Sequence, residues 1–139
     1  ASSRGKSLIH SAGYTDDQSI LWDNLAEQNA FCEAMADAAS SVMDYFKDRT
    51  AFVSMMCNLS VDCDCCAVAE DPCMKDIGIL SSLDPVALDQ ACMDLIYQSE
   101  DPGREHFIER VESRNGTHTI DAAAELGVGT KEYELILID

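Results

Sequence analysis

The chain has 139 residues, one domain's worth, with 47% hydrophobic residues and 9 basic against 26 acidic side chains, a formal net charge of −17. That balance argues against nucleic-acid binding, which runs on counterion release by Lys and Arg, and against docking on anionic membranes. It leaves a solvated acidic surface, or a docking face for a basic partner.

No apolar run approaches the length of a membrane span, and no long apolar segment follows the polar start Ala1-Ser-Ser-Arg-Gly-Lys6 as an export signal would. The cytoplasm is therefore the expected compartment. A start without Met, in a turn-like polar stretch, reads as part of a longer chain. A domain of this size buries about two thirds of its unfolded surface, so it needs neither disulfides nor a metal merely to fold.

Residues 1–17 read as loop, with Asp16 or Asp17 as a helix cap. From 19 to 47 apolar residues recur at helical spacing (Leu21, Leu25, Cys32, Met35, Ala39, Val42, Phe46), which predicts a long amphipathic helix, broken at most once. Residues 51–59 are almost continuously apolar and predict a strand buried on both faces, with Met55 and Met56 in the core. Residues 76–80 predict a second strand. Asp84-Pro85, a cap followed by Pro at the first helical position, opens a helix whose face is Leu88, Ala91, Cys92, Leu95 and Ile96.

A third helix spans 104–113 and buries Phe107, Ile108 and Val111. Asn115-Gly116 is a turn. Thr119 caps a short helix over 120–126 that Gly127 stops, and 132–138 is a final strand. The expected class is α/β: a small, mainly parallel sheet packed by several helices. So small a sheet for so much helix suits a single domain, 1–139, that belongs to a larger α/β fold.

Seven cysteines is a high, odd number for this length. Cys63, Cys65, Cys66 and Cys73 fall within the eleven residues 63–73, where chance placement would put roughly half a cysteine. Cys57 precedes them at the end of the predicted strand, and Asp62 and Asp64 interleave with the thiols in Val61-Asp62-Cys63-Asp64-Cys65-Cys66. Thiolates favour zinc, Cu(I) and iron–sulfur clusters. A loop leaving the carboxyl end of a strand in an open α/β sheet is a common place for a site.

The spacing matches neither ferredoxin patterns nor zinc dyads. Adjacent acids disfavour a bare thiolate, which favours a metal-neutralised site over a reactive free thiol. Reduced incidental thiols, or a redox disulfide between Cys63 and Cys66 or Cys73, are the other readings. Cys32 and Cys92 lie on apolar helix faces and read as core. His10 and His118 read as surface histidines, open to a site role if folding brings them to the cysteines. Gly127-Val-Gly129 follows a helix and is no nucleotide loop, and no catalytic constellation names a reaction.

Val61-Asp-Cys-Asp-Cys-Cys66, Asp76-Ile-Gly-Ile-Leu-Ser-Ser-Leu-Asp-Pro-Val-Ala-Leu-Asp-Gln-Ala91, Arg110-Val-Glu-Ser-Arg-Asn-Gly-Thr-His118 and Leu126-Gly-Val-Gly-Thr-Lys-Glu-Tyr-Glu-Leu135 together carry a resemblance. The opening Ser-Ser-Arg-Gly-Lys joins them. With these phrases the chain resembles the uncharacterised iron–sulfur-centre proteins of domain-of-unknown-function family 362.

The resemblance implies the C-terminal part of a larger α/β protein whose N-terminal part is absent. Many members carry a ferredoxin-like insertion with Cys-x2-Cys repeats, and this chain has none, so only the loop within 57–73 can carry the label. The expected function is metal or iron–sulfur binding, with electron transfer as the role of a cluster and a structural role for zinc. Cys63, Cys65 and Cys66 would be ligands, Cys57 or Cys73 would complete the set, and Asp62 and Asp64 would support them. The alternative is a non-catalytic structural or interaction half-domain with metal-free thiols. The partners to expect are the absent N-terminal segment, a redox partner, or a second copy of the chain.

Overall fold

The computed structural model describes residues 26–47, 49–62 and 69–138. Four helices and two strands follow one another as α1 (Gln28–Phe46), β1 (Phe52–Met56), β2 (Gly78–Ser82), α2 (Pro85–Gln98), α3 (Arg104–Ser113) and α4 (His118–Glu125). The predicted cap at Asp16 or Asp17 and the first turns of the predicted helix lie outside the described residues. Within them, α1 begins after Glu27, whose carboxylate accepts the Ala30 N–H at 3.0 Å.

The two strands pair antiparallel, Phe52 opposite Ser82 and Met56 opposite Gly78. The expected mainly parallel sheet is therefore corrected. Parallel pairing requires a crossover connection with its own secondary structure, and the chain between β1 and β2 contributes no helix among the described residues. It folds back instead, and an isolated antiparallel bridge, Leu59 to Met74, continues the hairpin beyond the strands.

Between ladder and bridge, residues 57–58 on the outgoing limb face residues 75–77 on the returning one. The extra residue makes a bulge. The Ile77 N–H donates to the Met56 carbonyl there at 2.9 Å. Asn58 takes a left-handed φ of 52°, which Asn tolerates, and its N–H donates to Asp76 Oδ1 at 2.9 Å.

β1 is not buried on both faces. Phe52, Ser54 and Met56 point inward, while Val53 and Met55 are exposed, as strict alternation on a one-sided hairpin requires. Met56 is core, and Met55 is not. α2 covers the inner face of both strands. Its predicted features hold: Asp84 Oδ1 accepts the Ala87 N–H at 3.0 Å, Pro85 opens the helix, and Leu88, Ala91 and Ile96 are buried.

α3 keeps its predicted span, but Phe107, Ile108 and Val111 are only half-buried. α4 begins two residues earlier than expected: His118 is its first residue and Thr117, not Thr119, precedes it, with no side-chain cap bond. Gly127 ends it at φ +75° as predicted.

Residues 132–138 form no strand, which corrects the last predicted element. They run beside β2 and α2 across a cleft that Ile79, Leu80, Leu88, Tyr133 and Leu135 help to line. Tyr133 is tied to α2 by its hydroxyl, which donates to Asp94 Oδ2 at 2.7 Å. The Gly127-Val-Gly129 stretch serves α2 as well. The Thr130 N–H donates to Asp84 Oδ2 at 2.8 Å, and a β-carbon on Gly129 would land on the Asp84 carboxylate.

Candidate functional site: the neck of the cysteine loop

Cys63, Cys65, Cys66 and Asp64 lie outside the described residues, as does His10. The described residues around the loop show how its two limbs are held. Asp62 is the centre of that arrangement. Its Oδ1 accepts from Arg110 Nη1 of α3 at 2.7 Å, and its Oδ2 accepts the Glu70 N–H at 3.1 Å. One carboxylate thus joins the outgoing limb, the returning limb and a helix. Arg110 Nη1 also reaches the Val61 carbonyl at 3.4 Å.

The Ser60 hydroxyl donates to the Glu70 carbonyl at 2.9 Å, and Glu70 Oε2 meets His106 Nε2 of α3 at 2.8 Å. Below these contacts the Cys73 and Met74 N–H groups both donate to the Leu59 carbonyl, at 2.8 and 3.3 Å. The Arg110 hydrogen bond and the Glu70 N–H hold the Asp62 carboxyl below the usual carboxylate range. Asp62 is therefore an anion at neutral pH with both oxygens engaged.

The neck also sits on the turn between α2 and α3. Asp101 accepts the Gly103 N–H at 2.8 Å through Oδ1 and the Lys75 N–H at 3.2 Å through Oδ2. These two bonds, in that order, pull its carboxyl below the ordinary value. Gly103 packs directly on the Cys73 backbone, where any β-carbon would collide with the Cys73 carbonyl. The contact requires glycine for its close approach, not for its φ. Under this stem Met56, Met74 and Ile96 form a buried cluster, with Leu59, Cys73, Cys92 and Phe107 packed around it.

The described thiols divide by position. Cys32 is buried in α1, and Cys92 is half-buried against the stem cluster; both are core, as their sequence pattern predicts. Burial raises the Cys92 thiol. Cys73 lies on the loop side of the Leu59–Met74 bridge, whereas Cys57 lies on the strand side, at the bulge. Burial, and secondarily the nearby Glu70 and Asp101 charges, push the Cys73 thiol up.

Among the described residues no group of three or more His, Cys, Asp or Glu side chains converges as metal ligands do, and Cys32, Cys57, Cys73 and Cys92 form no disulfide. His118 is engaged elsewhere: its Nε2 pairs with Glu33 Oε1 at 3.0 Å and joins α4 to α1. His106, which no sequence pattern singles out, is the histidine at the loop among the described residues.

With β1 and β2 antiparallel, the loop does not open on a crevice beyond the carboxyl ends of parallel strands, the setting expected from the sequence. The loop is the far end of a hairpin. Arg110 and Glu70 were equally hidden in the sequence, since nothing in their spacing connects them to Asp62.

The family described as domain of unknown function DUF362 matches residues 1–94, about two thirds of the chain, and the chain belongs to it. The matched stretch includes the whole hairpin and more than half of α2. No curated protein and no solved structure matches the chain. Among the described residues no helix is long and apolar enough to cross a membrane.

Proposed function

We propose that this family member binds a metal ion or iron–sulfur centre at the tip of the β1–β2 hairpin, through Cys63, Cys65 and Cys66 with Cys73 as the fourth ligand. The observation that carries this is the tied neck beneath the cysteine cluster. Asp62, Ser60, Glu70 and Arg110 fix the two limbs of a loop whose tip holds three thiols within four residues. Fixing a short loop at its base lowers the ordering cost of gathering soft ligands around one ion.

The register favours Cys73 over Cys57, because Cys57 stands on the other side of the bulge and the bridge. Asp62, with both oxygens already bonded, acts as a positioning group and not as a ligand. Asp64 is assigned to the same supporting role by its place between the thiols. A cluster bound here would supply one-electron transfer, and a zinc ion would supply a structural crosslink.

The test is metal analysis and an absorption spectrum of anaerobically purified protein. Stoichiometric metal is expected, lost in Cys63→Ser, Cys65→Ser, Cys66→Ser and Cys73→Ser and kept in Cys57→Ser. A folded, colourless, metal-free protein would overturn the proposal.

A second reading has its own support. Val53 (65% exposed), Met55 (67%) and Ile79 (66%) form an apolar strip on the outer face of the hairpin, with Leu83 (80%) at its end. Such a strip marks an interaction surface in a non-catalytic half-domain. Sedimentation of the wild type against the Val53→Thr/Ile79→Thr variant separates the two. Concentration-dependent association, lost in the variant and indifferent to Cys63→Ser, favours the interaction role.

A further inference from the structure

The end of the molecule away from the loop contains a cavity of about 430 Å³ between α1, α2 and α4, floored by Phe52 at the start of β1. Its volume falls in the range of small-molecule sites. Met35, Ala39, Val42 and Met43 of α1 form one wall, and Val86, Ile120, Ala123 and Val128 form the others. This explains why the apolar stripe of α1 is incompletely covered: Met35 and Val42 face the opening and keep 41% and 53% of their surface.

Among the described lining residues the sole ionisable group is Asp89, at the rim on α2. The residue is exposed, and its carboxylate makes no hydrogen bond or ion pair with any described residue. Apolar surroundings raise its carboxyl above the ordinary range, as they would for a carboxylate with no partner on that side. The remaining polar lining group is Thr119.

We propose that this cavity binds a small apolar molecule bearing a protonated amine, its body between α1, α2 and α4 and its ammonium against Asp89. The walls are apolar, so the body must be. The rim offers one acid and no base among the described residues, and the chain carries −17, so an anionic head is repelled and a cationic one attracted. An ammonium also gives Asp89 the charge-assisted partner it lacks. The site is separate from the cysteine loop: Phe52 starts β1 and Met56, on the loop side, ends it, about 13 Å apart along the strand.

The experiment titrates the full chain with phenethylamine, 2-phenylethanol and hydrocinnamate, which share a body and differ in head-group charge. Backbone amide chemical shifts report binding. Saturable binding of phenethylamine is expected, with shifts centred on α1, α2 and α4 and affinity about tenfold above the alcohol; hydrocinnamate should bind least.

Asp89→Asn, a rim substitution that spares the core, should remove the preference for the amine while the alcohol binds as before. Ala39→Trp should block all three. Equal affinity for the amine and hydrocinnamate overturns the proposal, as does an amine preference that survives Asp89→Asn. Failure of phenethylamine to saturate also overturns it; if the protein then sediments as a dimer, a second copy covers the face.

Discussion

The two ends of the hairpin are built differently. At the loop end, Met56, Met74 and Ile96 are closed over by side chains from both limbs, α2 and α3, and the backbone is tied by Asp62, Asp76 and Asp101. At the other end α1 and α4 pack on each other and bury Cys32, Ala36, Ile120 and Ala122, yet leave a cavity against α2. The fold ties its backbone at the loop end and leaves apolar surface open at the other. Small residues line the hollow end: Ala36, Ala39 and Ala123 border the cavity, where the loop end has Met, Ile and Phe.

The largest expected effect breaks the packed end. Ile96→Ala leaves a hole in the stem cluster and should cost about 2–5 kcal/mol, read by urea denaturation. A change under 1 kcal/mol would mean the loop end is no better packed than the cavity end. Gly103→Ala comes next. Its β-carbon displaces the Cys73 carbonyl, so a loss of about 1–3 kcal/mol is expected, with faster alkylation of Cys73 by a thiol reagent. A labelling rate unchanged from wild type would show that Gly103 does not seat the neck.

Added volume at the hollow end should behave oppositely. Ala39→Leu grows into the cavity and should change stability by less than about 1 kcal/mol, in either direction, by the same urea assay. A loss comparable to Ile96→Ala would show that the cavity is not available space.

The smallest effect is electrostatic. Asp101 has a folded pKa below its unfolded one, so its contribution is fully present above the ordinary Asp value of about 3.9 and is lost as pH falls through the lower folded value. Asp101→Asn should therefore be flatter than wild type in a melting-temperature series between neutral pH and pH 3. Parallel curves would remove Asp101 from the acid limb.

The cysteine cluster was legible because clustering is a property of the sequence. Its setting was not. Asp62 and Arg110 are 48 residues apart and Glu70 and His106 are 36 apart, so neither pair leaves a local signature. Other contacts distant in sequence involve the phrases that carry the resemblance. Asp84, in the long middle phrase, is held by the Gly129-Thr130 backbone of the closing phrase, and Asp76, which opens the middle phrase, pins Asn58 at the bulge.

Local signals in the sequence carry the four helices and several of their boundaries, though not the start of α4. Asp84-Pro85 opened α2, Asn115-Gly116 separated α3 from α4, and Gly127 closed α4, because caps, turns and helical periodicity act within a few residues. Tertiary structure alone decided the antiparallel pairing, the exposure of Val53 and Met55, the unpaired 132–138 segment, the neck and the cavity. Each of these depends on which distant surface is met after the chain closes on itself. An apolar run such as 51–59 carries its own hydrophobicity but not the number of faces that its neighbours will cover.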